Sequence, residues 1–395
     1  DVPVILGGAA LTPRFVNKDC REVYRGQVIY GRDAFADLRF MDAYVAARDA
    51  DQWDNGRGFL AGAPEGLGLE TAVETEAAAE SASAAPGTAP EAAAAGEAAT
   101  AATPADPNDH RSDAVPAEPA LTPPFWGSQV LTEKEIPLEQ VFAYLDRNAL
   151  FAGQWQLRKA QGQSREDYEA MLAEKAEPVL QQWMARCLEE QLLTPRVAYG
   201  YFPCGRSGNA VVLFDPAKSQ QQLGRFELPR QRSGNRYCIA DFYRDLAIAA
   251  DGSSLPTDVL PMQAVTMGEG ATSFAQQLFK ADQYTDYLYF HGLGVQMAEA
   301  LAELWHKRIR QEWGFVSEDG PSIGGLFRQQ YRGGRYSWGY PACPDLEDNA
   351  TVARLLEAGR LGIEVNEDTG WQYQPEQTTS AIICHHPQSK YFVAR

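Results

Sequence analysis

Apolar residues open the chain in short runs. Val2-Pro-Val-Ile-Leu6 predicts a buried strand, Gly7-Gly8 a turn, and Gln27-Val-Ile-Tyr30 a second strand. From Asp33-Ala34 to about Ala50 the pattern becomes helical. Strand, glycine turn, helix, strand and helix in that order make the closing βαβα piece of a parallel α/β sheet. Gly7-Gly8 falls at the carboxyl end of its strand, where open α/β sheets bind ligands, although a tight turn explains the pair equally well.

A different pattern starts at Pro123-Pro-Phe-Trp-Gly127. Leu138–Tyr144 is helical, with Pro137 tolerated in the first turn. Asp146 follows as an ordinary N-cap candidate, and Arg165–Leu193 reads as an amphipathic helix. Residues 197–202 and 209–214 read as strands about a glycine-rich turn, and 225–228 and 239–242 as strand-like pieces. Val259–Met267 is a buried strand, Asp282–Trp313 the longest helix, and 361–365 and 379–384 late strands. Clustered strands flanked by long helices, without regular alternation, predict an α+β fold with a mixed or antiparallel sheet.

Between these regions the composition changes. From about Thr71 to Ala120 there is no aromatic residue, Leu, Ile or Met, and Arg111 is the only Lys or Arg. Such a stretch buries too little apolar surface to offset its ordering entropy, so a disordered acidic linker is expected. The expected domains are an α/β remnant over 1–55, the linker over 56–121 and the α+β domain over 122–395. The chain opens on a strand without a Met and reads as a piece of a longer protein.

The net charge of −18 argues against a nucleic-acid or anionic-membrane partner. No run of about 18 apolar residues occurs. The six cysteines are scattered without C-x-x-C, which implies neither a zinc site nor a disulfide framework and fits a reduced cytoplasm.

Arg332-Gly-Gly-Arg-Tyr-Ser-Trp-Gly-Tyr-Pro-Ala-Cys-Pro-Asp345 stands out, with three glycines, two prolines, two arginines and three aromatics in fourteen residues. Gly and Pro exclude a regular element, so an ordered irregular loop is predicted, with Tyr336, Trp338 and Tyr340 packed on something. Arg335 adds a planar, permanently charged fork that suits a carboxylate or phosphate. A small-molecule pocket rim and a well-packed structural loop both remain open here.

On the long helix, Glu299 and Glu303 share a face, with His306 and Lys307 one turn on. Glu303-Leu-Trp-His306 has the Glu-x-x-His spacing of carboxylate-bridged metal sites, but no second copy exists. A Glu303–Lys307 surface pair is the simpler expectation. Glu299, among Gln296, Met297 and Leu301, wants a cationic partner. His385-His386 on a strand would point to opposite faces, against joint metal binding. No G-x-S-x-G, P-loop, H-E-x-x-H or G-x-G-x-x-G occurs. What remains is a binding loop, acids and aromatics, complementary to a ligand with carboxylate, ammonium and a flat base.

Arg335 through Pro344, Cys238-Ile-Ala-Asp-Phe242, Met297-Ala-Glu-Ala-Leu-Ala-Glu303 and His386-Pro-Gln-Ser-Lys-Tyr-Phe392 carry a resemblance. With them, the region from about Pro123 to Arg395 resembles the S-adenosylmethionine-binding reactivation domain of the cobalamin-dependent methionine synthase family. Residues 1–50, including Gly7-Gly8 and Asp33-Ala34, resemble the end of that family's cobalamin-binding domain. The resemblance implies cobalamin contacts at Gly7, Gly8 and Ala34. It implies S-adenosylmethionine contacts at Asp146, Glu299, Arg335, Ser337 and Tyr340, with Tyr391 and Phe392 as a closing aromatic pair. Arg335 would pair with the methionyl carboxylate, and Asp146 would meet the ribose or amino end, overturning its N-cap reading.

The implied role is repair: methylation of oxidised cobalamin, with a flavodoxin-type protein as electron donor and a cobalamin domain as docking partner. No side chain of this chain needs to act as acid or base. The family's D-x-H-x-x-G cobalt-ligand motif is absent here and expected upstream, as are the homocysteine domain with its zinc and the folate domain. Ser337-Trp338 stands where relatives often carry Ala-Pro, so the loop's side-chain rim departs from the family. Two alternatives are a docking module that no longer binds S-adenosylmethionine and a Rossmann-type methyltransferase. The missing glycine-rich strand–helix turn speaks against the latter.

Overall fold

The computed structural model describes residues 3–7, 16, 20, 24, 26–31, 34–51, 53–54, 58–59, 110–160 and 162–394. The chain divides into two compact units, Asp1–Ala95 and Gly96–Arg395.

In the first unit, β1 (Val4–Gly7) and β2 (Val28–Gly31) pair in parallel, register Val4 to Val28. The helix α1 (Ala34–Asp49) follows. Val28, Ile29 and Phe40 are buried, and Trp53 sets its edge against Tyr44 with ring centroids 4.8 Å apart. The parallel strand pair and following helix are those the hydrophobic pattern predicts. The helix expected between the strands, Gly8 and Asp33 lie outside the described residues.

The second unit is built on seven antiparallel strands: β3 (Gly127–Leu131), β4 (Arg196–Ser207), β5 (Ala210–Asp215), β6 (Lys218–Glu227), β7 (Asp258–Thr266), β8 (Gly334–Tyr336) and β9 (Thr378–Cys384). Their order is β8-β9-β7-β4-β5-β6, with β3 also paired to β4. Strand alternation divides the core. Val197, Tyr199 and Tyr201 of β4, Val259 and Val265 of β7 and Ile383 of β9 point to one face. That face packs on α2 (Leu138–Phe142), α3 (Glu177–Glu189), α4 (Glu269–Lys280) and α5 (Tyr284–Glu312). Ala198, Phe202, Cys204, Leu260, Met262, Ala264, Ile382 and Cys384 point to the other. There they meet a turn at Ile239–Phe242, the Tyr336–Cys343 loop, α6 (Asp348–Leu355) and Phe392. Gly200 lets β3 cross close to β4, because a Cβ there would strike the Gly127 carbonyl. The α+β class with an antiparallel sheet is as the sequence predicts.

Three expectations change. Ile239–Phe242 is a 3₁₀ turn, since Asp241 is fully buried and held by Arg206 Nε at 3.1 Å and by Arg230 Nη2 at 2.7 Å. Among the described residues, 361–365 form no strand of the main sheet; a 3₁₀ turn ends at Leu361, and Glu364–Asn366 pairs with Gln372–Gln374. Residues 111–116, assigned to the linker by composition, pack within the second unit. Arg111 donates to the carbonyls of Asp241 and Tyr243, Ser112 N donates to Asp241, Val115 is buried, and Pro116 O lies 2.8 Å from His386 Nε2. Residues 60–109 lie outside the described set.

Candidate functional site

Glycine geometry builds the site at the edge of the sheet. Gly333 has φ +88°, and a Cβ there would run into the Cys384 carbonyl; a Cβ on Gly334 would run into Ser389 Oγ. Only glycine lets β8 lie so close to β9. Alternation along β8 then sends Tyr336 into the second core, at 3% exposure, and Arg335 to the face of α5.

Arg335 meets a polar stripe on that helix. Glu299, Glu303, His306 and Arg310 recur at helical spacing along one side of α5. Arg335 Nη2 lies 3.3 Å from Glu299 Oε2, and its Nη1 lies 3.8 Å from Glu303 Oε2. Among the described residues, Arg335 Nη1 and Glu303 Oε1 are buried without a hydrogen-bond partner. Burial pushes the Glu303 carboxyl above its usual range, and Arg335 pulls it partly back. Next in the stripe, His306 is fully buried edge-on to Tyr331, and burial holds its imidazole well below the usual range, hence neutral. Arg310 lies over the Tyr331 ring and grips Asp319 with Nε and Nη2 at 2.8 and 2.9 Å. The expected Glu303–Lys307 surface pair does not form. Glu303 turns inward to Arg335, and Lys307 Nζ sits over the Tyr144 ring.

Past β8 the loop closes on itself. Gly339, at φ +87°, donates to Cys343 O, Cys343 N returns a bond to Tyr340 O, and Cys343 Sγ donates to Ser337 O. Tyr336 Oη lies 2.9 Å from Ser389 Oγ and donates to Lys390 O, tying the final segment to the loop. Tyr340 and Tyr391 stand exposed at 45% and 48%. The Tyr340 hydroxyl lies within electrostatic reach of Glu299, Tyr391 and Arg335.

The structure therefore brings Glu299, Arg335, Tyr340 and Tyr391 together, with Ser337 in the loop between them. Two expected members, and one aromatic of the loop, stand differently. Phe392 is 6% exposed among Tyr237, Phe242 and Tyr336, so of the closing pair only Tyr391 reaches the surface. Trp338, expected to pack on something, with a pocket rim and a structural loop both open, packs on Phe226 in the core. Asp146 Oδ1 accepts from Asn148 N and Ala149 N at 2.9 and 3.2 Å, which is the capping role read from its local sequence. The turn it caps packs against α5, and that cap uses one of its two oxygens. Glu303 is the residue that sequence reasoning missed. Its i+4 lysine suggested a solvated pair, and only the position of β8 reveals the half-buried arginine.

In the first unit, Gly7 ends β1 opposite Gly31 and Ala34 begins α1; Gly8 is not described. Among the described residues no group of three or more His, Cys, Asp or Glu could hold a metal ion, and no helix is long and apolar enough to cross a membrane.

The family model for the vitamin B12 dependent methionine synthase activation domain matches residues 137–395. The chain belongs to this family. It is 39% identical to the methionine synthase of Mycobacterium tuberculosis (strain ATCC 25618 / H37Rv) and 41% identical to that of Mycobacterium leprae (strain TN). Each alignment covers 99% of this chain and 32% of the relative, so the chain spans about a third of the length of the curated relatives it matches. A crystal structure of the MetH reactivation domain bound to AdoHcy superimposes with a TM-score of 0.60, covering 70% of this chain and 84% of that one. At 24% identity this likeness establishes the fold.

Proposed function

We propose that this chain is the reactivation module of a cobalamin-dependent methionine synthase and that it binds S-adenosylmethionine. The observation that carries the reading is Arg335, fixed on β8 against Glu299 and Glu303 beside the exposed rings of Tyr340 and Tyr391. Family membership and the AdoHcy bound to the structurally similar domain support it.

The donor set fits such a ligand. Arg335 offers a forked cation for a carboxylate, and Glu299, 47% exposed on its side chain, is free to exchange that arginine for an ammonium. Tyr340 and Tyr391 offer flat faces for a purine. The self-bonded loop around Ser337 presents backbone already organised for binding. Asp146, on a turn against the same helix, is assigned to the ribose or amino end, and Phe392, buried against Tyr237, Phe242 and Tyr336, anchors the segment that carries Tyr391. A bound sulfonium supplies an activated methyl group; the chain's own work is to orient it and exclude water. No acid or base of this chain takes part.

The described residues of the first unit supply no side chain that fits cobalt, so no step is derived through cobalamin. Gly7, Gly8 and Ala34 are assigned as peripheral backbone contacts. The reading makes residues 1–55 the end of a cobalamin-binding domain and 110–395 the reactivation domain, with the intervening residues as their connection. It implies a cytoplasmic setting, a cobalamin domain as docking partner and a flavodoxin-type electron donor; zinc belongs to other parts of such enzymes. Equilibrium dialysis of the full chain with labelled S-adenosylmethionine tests it. Saturable binding that S-adenosylhomocysteine displaces is expected; no binding would leave only the docking reading.

A further inference from the structure

Glu303 has no place among the ligand contacts assigned above, yet only 8% of its surface is exposed on the stripe that faces Arg335. Its Oε2 is 3.8 Å from Arg335 Nη1, an ion pair beyond hydrogen-bonding range, and its Oε1 has no hydrogen-bond partner among the described residues. The other charges nearby are already matched: Arg310 holds Asp319 bidentately, and His306 is neutral. Around Arg335, the carboxylates of Glu299, Glu303 and Asp319 face the guanidinium groups of Arg310 and Arg335. With Glu303 ionised, one negative charge is left over. Because Glu303 is buried, salt screens that charge much less than it would at the surface.

We propose that Glu303 sets the charge preference of this site, giving it one more carboxylate than its arginines neutralise, so that it favours a ligand bearing a sulfonium over the neutral thioether left when the methyl has gone. The proposal rests on the S-adenosylmethionine reading. Both ligands carry the same carboxylate and ammonium, so contacts to Arg335 and Glu299 do not tell them apart by charge. Only S-adenosylmethionine carries the further positive charge on sulfur. A site with net negative charge holds the methyl-bearing ligand and lets the spent one go.

The test measures affinities of the full chain for S-adenosylmethionine and S-adenosylhomocysteine by calorimetry at low salt, for wild type and Glu303→Gln. This substitution removes the charge and keeps the shape. Wild type is expected to prefer the sulfonium. Glu303→Gln is expected to narrow that preference about five-fold, the scale of a ~1 kcal/mol Coulomb attraction. An unchanged ratio overturns the proposal, and so does an equal loss of both affinities, which would mark Glu303 as purely structural. Should the variant fail to fold, the wild-type ratio decides: equal affinities overturn it. Wild type binding neither ligand would sink the S-adenosylmethionine reading itself, whereas binding with an unchanged ratio sinks this inference alone.

Discussion

Replacing Arg335 by Met removes the cation that faces Glu303 and keeps most of the arginine stem. The side chains of Glu303 and Arg335 are 10% and 18% exposed, so the substitution strands a carboxylate in the interior. Breaking a buried pair costs about 3–5 kcal/mol where its hydrogen bonding is complete. Here the 3.8 Å separation is outside hydrogen-bonding range, which puts the expected loss at about 3 kcal/mol, the low end. The contact to the half-exposed Glu299 adds less than about 1 kcal/mol. Arg310 cannot take over fully, because Asp319 already occupies two of its nitrogens. At roughly 2–4 °C per kcal/mol, the melting temperature should fall by about 6–12 °C. Burial already pushes the Glu303 carboxyl up, and losing Arg335 pushes it further. A folded state that holds the proton more tightly loses stability as pH rises through that pKa, so the deficit should be larger at pH 8 than at pH 5. Adding Glu303→Gln removes the stranded charge and should recover at least half of the loss. Thermal melts of the two single variants and the double variant complete the cycle. A double variant no more stable than Arg335→Met alone, or a shift of under ~1 °C in that single variant, would refute the reasoning.

Gly333→Ala places a Cβ against the Cys384 carbonyl at a positive φ and should cost more than about 2 kcal/mol, read by denaturant unfolding. Asp348 is raised to about 7 by burial and by Asp345, Glu347 and Glu227. Its stabilising protonation is complete below about 3.8 and lost as pH rises through about 7, so Asp348→Asn should raise the melting temperature at pH 8 and leave it unchanged at pH 4. Arg111→Ala removes the donor to two buried-turn carbonyls and should destabilise the second unit by about 1–3 kcal/mol; no change would mean that the 110–116 strap is not anchored.

Alternation was legible where a strand has two unlike faces. The apolar run 197–202 announced the strand; that Val197, Tyr199 and Tyr201 serve one core and Ala198 and Phe202 another shows only in the fold. The 29-residue α5 was legible for a similar reason, its apolar residues recurring at helical spacing. Arg335 stood out by composition, because a forked cation amid glycines and aromatics has few structural uses. Glu303 did not stand out, since an i+4 lysine fits a surface pair and nothing local tells that β8 lies against that turn. Ile239–Phe242 reads as strand because three of its four residues are apolar, and the arginines that bend it around Asp241 come from distant positions. The strap at 110–116 hid in linker composition; the lone Arg111 and the isolated Val115 were the only local signs of attachment. Phe392 was read beside Tyr391 as one rim, but neighbours in extended chain face opposite ways, one to the core and one to solvent.

The central claim, that this chain binds S-adenosylmethionine through Arg335, is met most directly by calorimetric titration of that ligand into the full chain and into Arg335→Ala. Saturable binding by wild type is expected, with a loss of about 1.5–3 kcal/mol in the variant, as for a charged hydrogen bond removed. Equal affinity in both, or no binding by the wild type, would contradict it.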